Sequence, residues 1–237
     1  MSQALIHLDA ITYSWPGQPV LLDIPAFSLQ AGEKVFLKGP SGSGKTTLLG
    51  LLGGVYLPDR GAIQLLGQNL ARLSSVKRDR FRADHTGYIF QMFNLLPYLS
   101  VVDNVTLPCH FSRVRRERAL ARHADLAIAA LDLLSRLGLS EESLLNRSVT
   151  ALSIGQQQRV AAARALIGNP ELVIADEPTS ALDADSREAF LRLLFAECDL
   201  AGSSLLFVSH DSSLEPLFDR ALSLRDINRA AAMQESI

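Results

Sequence analysis

The sequence predicts an α/β fold: a mainly parallel sheet alternating with helices, an antiparallel β portion near the N-terminus, and an inserted helical subdomain. Three observations predict it. An apolar strand pattern at residues 35–37 runs into Gly39, Pro40, Ser41, Gly42, Ser43, Gly44, Lys45 and Thr46, and then into an apolar helix that begins at Thr47. A second apolar run, residues 172–175, ends abruptly in Asp176 and Glu177 before Pro178, as a strand buried on both faces of a parallel sheet would. Between them, from about residue 92 to 157, the strand pattern gives way to a helical one.

Taken in order, strand patterns lie around residues 5–8, 35–37, 62–66 and 87–90, separated by turns such as Pro16-Gly17 and Asp59-Arg60-Gly61. Residues 115–137, rich in Ala, Leu and Arg, predict one inserted helix that Gly138 stops. Strands alternating with helices resume from about 158 to 225, including a buried strand at 204–208, and the stretch from Arg225 onward reads as a frayed helix. No internal repeat or low-complexity tract interrupts this order.

Composition sets the bounds. With 237 residues, 48% hydrophobic and 20% charged, the chain can bury a sizeable core as one unit with an insertion. The formal charge of −2 gives no bulk attraction to nucleic acid. No apolar run approaches the roughly 18 to 20 residues needed to cross a bilayer, and no secretory signal opens the chain. Any membrane function is therefore expected to come through a partner. Cys109 and Cys198 lack metal-ligand spacing and read as reduced cytosolic thiols. Two basic clusters, Lys77, Arg78, Arg80 and Arg82, and then Arg113, Arg115, Arg116, Arg118 and Arg122, read as solvated faces, with proximity to anionic lipid headgroups the other reading.

Residues 39–46 fit the phosphate-loop pattern GxxxxGK[ST] in the strand-to-helix context that gives the pattern meaning. Glycines let the backbone wrap closely enough for its N–H groups to face phosphate oxygens, and the helix N-terminus adds partial positive charge. Lys45 is expected on the β- and γ-phosphates of ATP and the Thr46 hydroxyl on Mg²⁺, with Thr47 beside them; the alternative, a glycine-rich surface turn, does not explain the Lys-Thr pair. Asp176 suits the Mg²⁺ shell, and Glu177 is placed to take a proton from water attacking the γ-phosphate. Their bland alternative is a helix-capping Asp-Glu after a core strand.

Leu152, Ser153, Ile154, Gly155 and Gln156 precede Gln157, Gln158, Arg159 and an alanine-rich helix. This segment resembles the LSGGQ signature of ATP-binding-cassette (ABC) ATPases, and the remaining motifs follow that family's order. Gln91, after Tyr88, Ile89 and Phe90, is similar to the Q-loop glutamine; residues 180–183 are similar to the D-loop; His210, after Val208 and Ser209, is similar to the switch histidine. The resemblance implies a P-loop NTPase (RecA-like) core, one ABC domain in which residues 1–91 and 158–237 form the nucleotide-binding core and 92–157 the helical signature subdomain. It also implies roles. Gln91 would sense Mg²⁺ and water, His210 would contact the γ-phosphate, and an N-terminal aromatic would stack on adenine, Trp15 being favoured over Tyr13. Each has a plainer reading: Gln91 as a surface polar residue, His210 as a hydrogen-bonded edge residue, Trp15 as core packing, and Asp183 as a helix cap.

Ile154 departs from the family, which has glycine there. A β-branched residue disfavours positive φ, so unstrained geometry is expected. Ser153, Gly155 and Gln156 remain to reach a γ-phosphate, although Ser153 and Gln156 also have the spacing of a capping box. In the family that phosphate belongs to the opposite subunit, which implies a homodimer around two ATP. The run 90–97, with Val105, Thr106, Leu107 and Pro108, looks similar to the group of lipoprotein-releasing (LolD-like) and macrolide-exporting (MacB-like) ATPases. That group implies a cytoplasmic subunit, peripheral on the inner face of the membrane through a permease with a large periplasmic domain, with a periplasmic adaptor, working in export or extraction. FtsE-like regulators of cell-wall enzymes belong to the same group and keep a signalling role open, whereas soluble ABC ATPases usually carry tandem cassettes or a long coiled coil.

Overall fold

Alternation of apolar and polar residues builds the first elements of the computed structural model, which describes residues 4–40, 42–140 and 147–230. The chain divides into two compact units, residues 1–82 with 204–237, and residues 83–203.

In the first unit, strands β1 (Ala4–Ser14) and β2 (Val20–Gln30) pair antiparallel, with Leu8 opposite Phe27 and Ile11 opposite Ile24. Strand β3 (Lys34–Lys38) leads through the glycine-rich segment to helix α1 (Lys45–Leu52). Strands β4 (Arg60–Leu65) and β5 (Gln68–Asn69) complete an antiparallel sheet of order β2-β1-β4-β5, and α2 (Ser75–His85) follows. The sequence reading missed β2, although Leu22, Ile24, Phe27 and Leu29 are all buried. The reason is a slip in its period: the buried face changes phase at Pro25 and Ala26, opposite the left-handed Ala10 (φ 45°) on β1. Strand β8 (Ser204–Val208) and strand β9 (Arg220–Ser223), also missed, lie parallel on either side of β3. Fully buried Phe36 and Phe207 stack at 6.2 Å between ring centroids, and Phe218 closes on both. A short helix α8 (Leu224–Ile227) ends on buried Asn228, which donates to Leu21 O and accepts from Asp23 N.

The second unit holds strand β6 (Thr86–Ile89), helices α3 (Val101–Phe111), α4 (Arg113–Leu120), α5 (Leu126–Arg136) and α6 (Ile154–Leu166), strand β7 (Leu172–Asp176) and helix α7 (Ala184–Ala201). β6 and β7 run parallel, and Gly87 on β6 is required by α6: a Cβ there would stand 2.1 Å from Ala165 O. The single helix expected at 115–137 is two. Asp125 accepts a hydrogen bond from Ile128 N at 2.8 Å and starts α5 afresh, because a capping aspartate competes with continued helix. Gly138 (φ 77°) stops α5 as expected.

The basic clusters need correction too. Arg115 is not solvated: it is 2% exposed and donates to Ile167 O, Arg164 O and Ala165 O, so α4 caps the C-terminus of α6. Burial lowers its pKa to about 10. Arg118 donates to Asn169 O and to Glu171, and in the first unit Arg78 and Arg82 donate to Gly54 O. Arg113, paired among the described residues with Glu117 one turn on, fits the solvated reading.

Candidate functional site

The first unit supplies a phosphate cradle. Gly42 and Gly44 take φ of 78° and 96°, and α1 starts from Gly44 without a side-chain cap, leaving its first N–H groups to the loop. Gly44 is doubly constrained, because a Cβ at that position would also meet Leu22 Cδ2 at 3.0 Å. Lys45 is buried, and its Nζ donates to Gly39 O at 2.7 Å and Pro40 O at 3.1 Å. An ammonium held against loop carbonyls sets a positive charge inside the loop, where it would attract a polyphosphate. Ser43 Oγ is buried without a hydrogen-bond partner among the described residues, the mark of a donor that awaits a ligand oxygen. These features fit a nucleotide phosphate. Ser41 lies outside the described residues, while Thr46 is exposed at the start of α1 and Thr47 is buried.

Trp15 and His210 belong to the same unit. Trp15, 38% exposed, packs edge-on against Tyr13 (5.3 Å) and Tyr56 (5.1 Å), whereas Tyr13 is 7% exposed and offers no open face. Tyr56 was missed in sequence because it lies far from Trp15 along the chain and carries no motif. His210 is exposed just past β8, beside buried Ser209, whose hydroxyl accepts from Asp211 N.

The second unit presents the carboxylates. β7 buries Leu172 to Ala175 completely and brings Asp176 to its C-terminal end, partly exposed. Glu177 follows with φ 46°, left-handed and not glycine, a geometry that persists only where its surroundings enforce it. The enforcement comes from α6. Gln158, 1% exposed, donates through Nε2 to Pro178 O at 2.9 Å. Thr179 is buried, and Asp183 caps α7 by accepting from Ser186 N, which holds its carboxyl below the usual range. The capping reading of Asp183 therefore stands.

Ser153 caps α6 in a reciprocal box: Gln156 N donates to Ser153 Oγ at 3.3 Å and Ser153 N to Gln156 Oε1 at 2.9 Å. Ile154 is the first residue of α6, 53% exposed and absent from the positive-φ residues, as its β-branch requires. Gly155 has room, since a Cβ there would meet only Leu182 Cδ2 at 3.9 Å. Among the described residues nothing crowds that position.

Gln91 is exposed in the turn after β6, where Phe93 N donates to Phe90 O and Asn94 N to Met92 O. Phe93 and Asn94 are both left-handed, with φ of 59° and 49°. Arg164 on α6, 8% exposed, donates to the carbonyls of both, at 2.6 Å to Asn94 O. Fully buried Asn104 braces the next residues, accepting from Leu96 N and donating to Leu96 O and Ser100 O. Met92, Asn94, Leu95, Pro97, Val149, Thr150 and Gln157 line a groove of about 490 Å³, and Met92 is 81% exposed. Gln158, Arg164 and Asn104 escaped the sequence reading; polar residues within an apolar helical stretch were their only signal. Among the described residues no group of three or more His, Cys, Asp or Glu forms a metal cluster.

The family model described as ABC transporter matches residues 22–180. Over 224 residues the chain is 36% identical to the lipoprotein-releasing system ATP-binding protein LolD of Bacteroides fragilis, covering 94% of this chain and 99% of that protein. It is 37% identical over 233 residues to the macrolide export ATP-binding/permease protein MacB of Burkholderia thailandensis, covering 95% of this chain but 34% of that longer one. Among solved structures, the dimeric bacterial ABC transporter cassette MJ0796 matches with a TM-score of 0.80 and 33% identity, covering 92% of this chain and 93% of that one. A dimeric post-hydrolysis state of the same cassette, bound to ADP and Pi, matches with a TM-score of 0.79.

Proposed function

Because the chain belongs to the ABC transporter family, we propose that its ATP hydrolysis drives a membrane permease in export or extraction of substrate, two copies closing around two ATP. The phosphate loop carries this reading: a buried lysine, a hydroxyl without a partner and two left-handed glycines together make an anion cradle. Lys45 and the loop N–H groups hold the β- and γ-phosphates, Trp15 offers its ring to adenine, and His210 contacts the γ-phosphate. Thr46, Asp176 and Gln91 would hold Mg²⁺, which neutralises phosphate charge when bound. Glu177 accepts the proton of the attacking water, as a general base does. Ser153, Gly155 and Gln156 serve the nucleotide of the second copy; the open space at Gly155 and the dimeric relatives support that arrangement.

No helix of the described residues is long and apolar enough to cross a membrane, so the reading assigns that task to a permease. The relatives named for lipoprotein release and for a macrolide export ATP-binding/permease protein support a permease partner, to which the reading adds a large periplasmic domain and an adaptor. The groove of mixed polar and apolar lining at Met92 and Leu95 is the surface offered to the permease. Met92 is its most exposed large apolar member. Co-expression with a candidate permease that stimulates the wild-type chain provides the test: Met92→Glu should leave the chain folded and able to bind ATP but abolish co-purification and permease-stimulated hydrolysis. A variant that still assembles and is still stimulated would place the docking surface elsewhere.

A further inference from the structure

Arg164 is a buried cation with no carboxylate partner among the described residues. Such a group is costly unless its donors are well used. Here both terminal nitrogens are spent on the carbonyls of Phe93 and Asn94, consecutive left-handed residues, a geometry that asparagine tolerates but that is costly for phenylalanine. Further contacts extend the arrangement. The turn from Phe90 to Asn94 carries Gln91 at its exposed side, and Phe93 buries its ring at 8% exposure. On the same helix Gln158, six residues before Arg164, donates to Pro178 O just past left-handed Glu177. Helix α6 thus reaches, through two buried side chains, both backbone segments of this unit that hold non-glycine residues in strained geometry beside the candidate catalytic groups.

We propose that Arg164 is a positioning residue for ATP hydrolysis: its guanidinium fixes the turn that carries Gln91 to helix α6, so that the turn and the loop after Glu177 are held by one rigid body. The inference rests on the role proposed above for Gln91. It assigns Arg164 no contact with nucleotide, and it predicts an effect on turnover separate from ATP affinity, since the phosphate loop and Trp15 belong to the other unit. The surface at Met92 and Leu95 is continuous with the clamped turn, so a permease pressing there pushes on α6 through Arg164.

The test uses the full chain and reads two quantities. In Arg164→Gln, amide hydrogen exchange across residues 90–98 should rise about tenfold and kcat should fall about tenfold, while KM for ATP stays within about twofold, the size expected when charge-assisted hydrogen bonds to a turn are lost. Arg164→Lys, which keeps the charge but not the planar fork, should recover part of both losses. Asn94→Val approaches the clamp from its exposed end, where a folding failure is not expected: a β-branched residue at φ 49° should loosen the turn and reproduce the fall in kcat at unchanged KM. Unaltered exchange in Arg164→Gln, a KM that moves together with kcat, or a normal kcat in Asn94→Val would each overturn the proposal. If loosened exchange were accompanied by normal turnover, the clamp would be structural only and its positioning role overturned. If Gln91→Ala hydrolysed ATP normally, the role given to Gln91 would fall, whereas the exchange of residues 90–98 would still decide whether Arg164 holds the turn.

Discussion

The loop at residues 39–46 and the turn at residues 90–94 both force the backbone into left-handed geometry, but they do so by different means. The first uses glycines, Gly42 and Gly44, and is tied by its own Lys45 to carbonyls five and six residues away. In the second, a phenylalanine and an asparagine take that geometry and are tied by Arg164, 70 and 71 residues away. A conformation that glycine adopts at little cost can be written locally, whereas one that is costly for a phenylalanine exists only where distant groups over-determine it. Glu177, left-handed and supported by Gln158 from α6, belongs to the second kind. On the proposed roles, the phosphate cradle is thus built from near neighbours, and the segments carrying Gln91 and Glu177 from residues held at a distance.

The largest effect that could break this separation is at Glu177. Glu177→Gln preserves size and most hydrogen-bonding capacity, so it should cut turnover by about 10² to 10⁴ while leaving ATP binding intact. Single-turnover kinetics beside equilibrium binding will check this, and near-normal hydrolysis would remove Glu177 from the base role. ATP binding lost in parallel would show that the two regions are not separable.

A middling effect is expected at the aromatic cluster. Trp15→Ala should weaken ATP binding by about 1 to 3 kcal/mol, the worth of a base stacked on an aromatic face, with kcat nearly unchanged. Tyr13→Ala would act on core packing instead, because Tyr13 is buried against Trp15 and Tyr56. Calorimetric titration with ATP distinguishes them; a larger binding loss at Tyr13 without loss of stability would reverse the assignment.

The smallest effect sharpens the comparison through pH. Glu171, just before β7, is held by Arg118 and His85, 53 and 86 residues away. Burial pushes its carboxyl pKa up, but hydrogen bonds from His85 and Arg118 bring it down to about 2 from an ordinary 4.5. Because the folded value is depressed, this contribution is fully present above the ordinary value and is lost as pH falls through the folded one. Glu171→Gln should therefore show a shallower loss of stability than the parent between about pH 4.5 and 2 in denaturant titrations. Identical slopes would mean that the pair adds nothing to folding.

The sequence alone determined the parts whose physics is local. A glycine loop between strand and helix, an apolar run ending in two acids, Ser153 and Gln156 at capping spacing, and Ile154 barred from positive φ all depend on residues within a few positions of one another. The same locality explains the errors. The phase slip at Pro25 hid β2, the cap at Asp125 divided a composition that otherwise read as one helix, and Arg115 looked like part of a charged surface until the end of α6 was seen to need its donors. Only the tertiary structure decided that Tyr56 completes the cluster around Trp15, that Gln158 and Arg164 turn inward, and that Phe93, Asn94 and Glu177 are left-handed. A buried polar side chain is satisfied by whichever carbonyl folding brings to it, and no spacing along the chain specifies that partner.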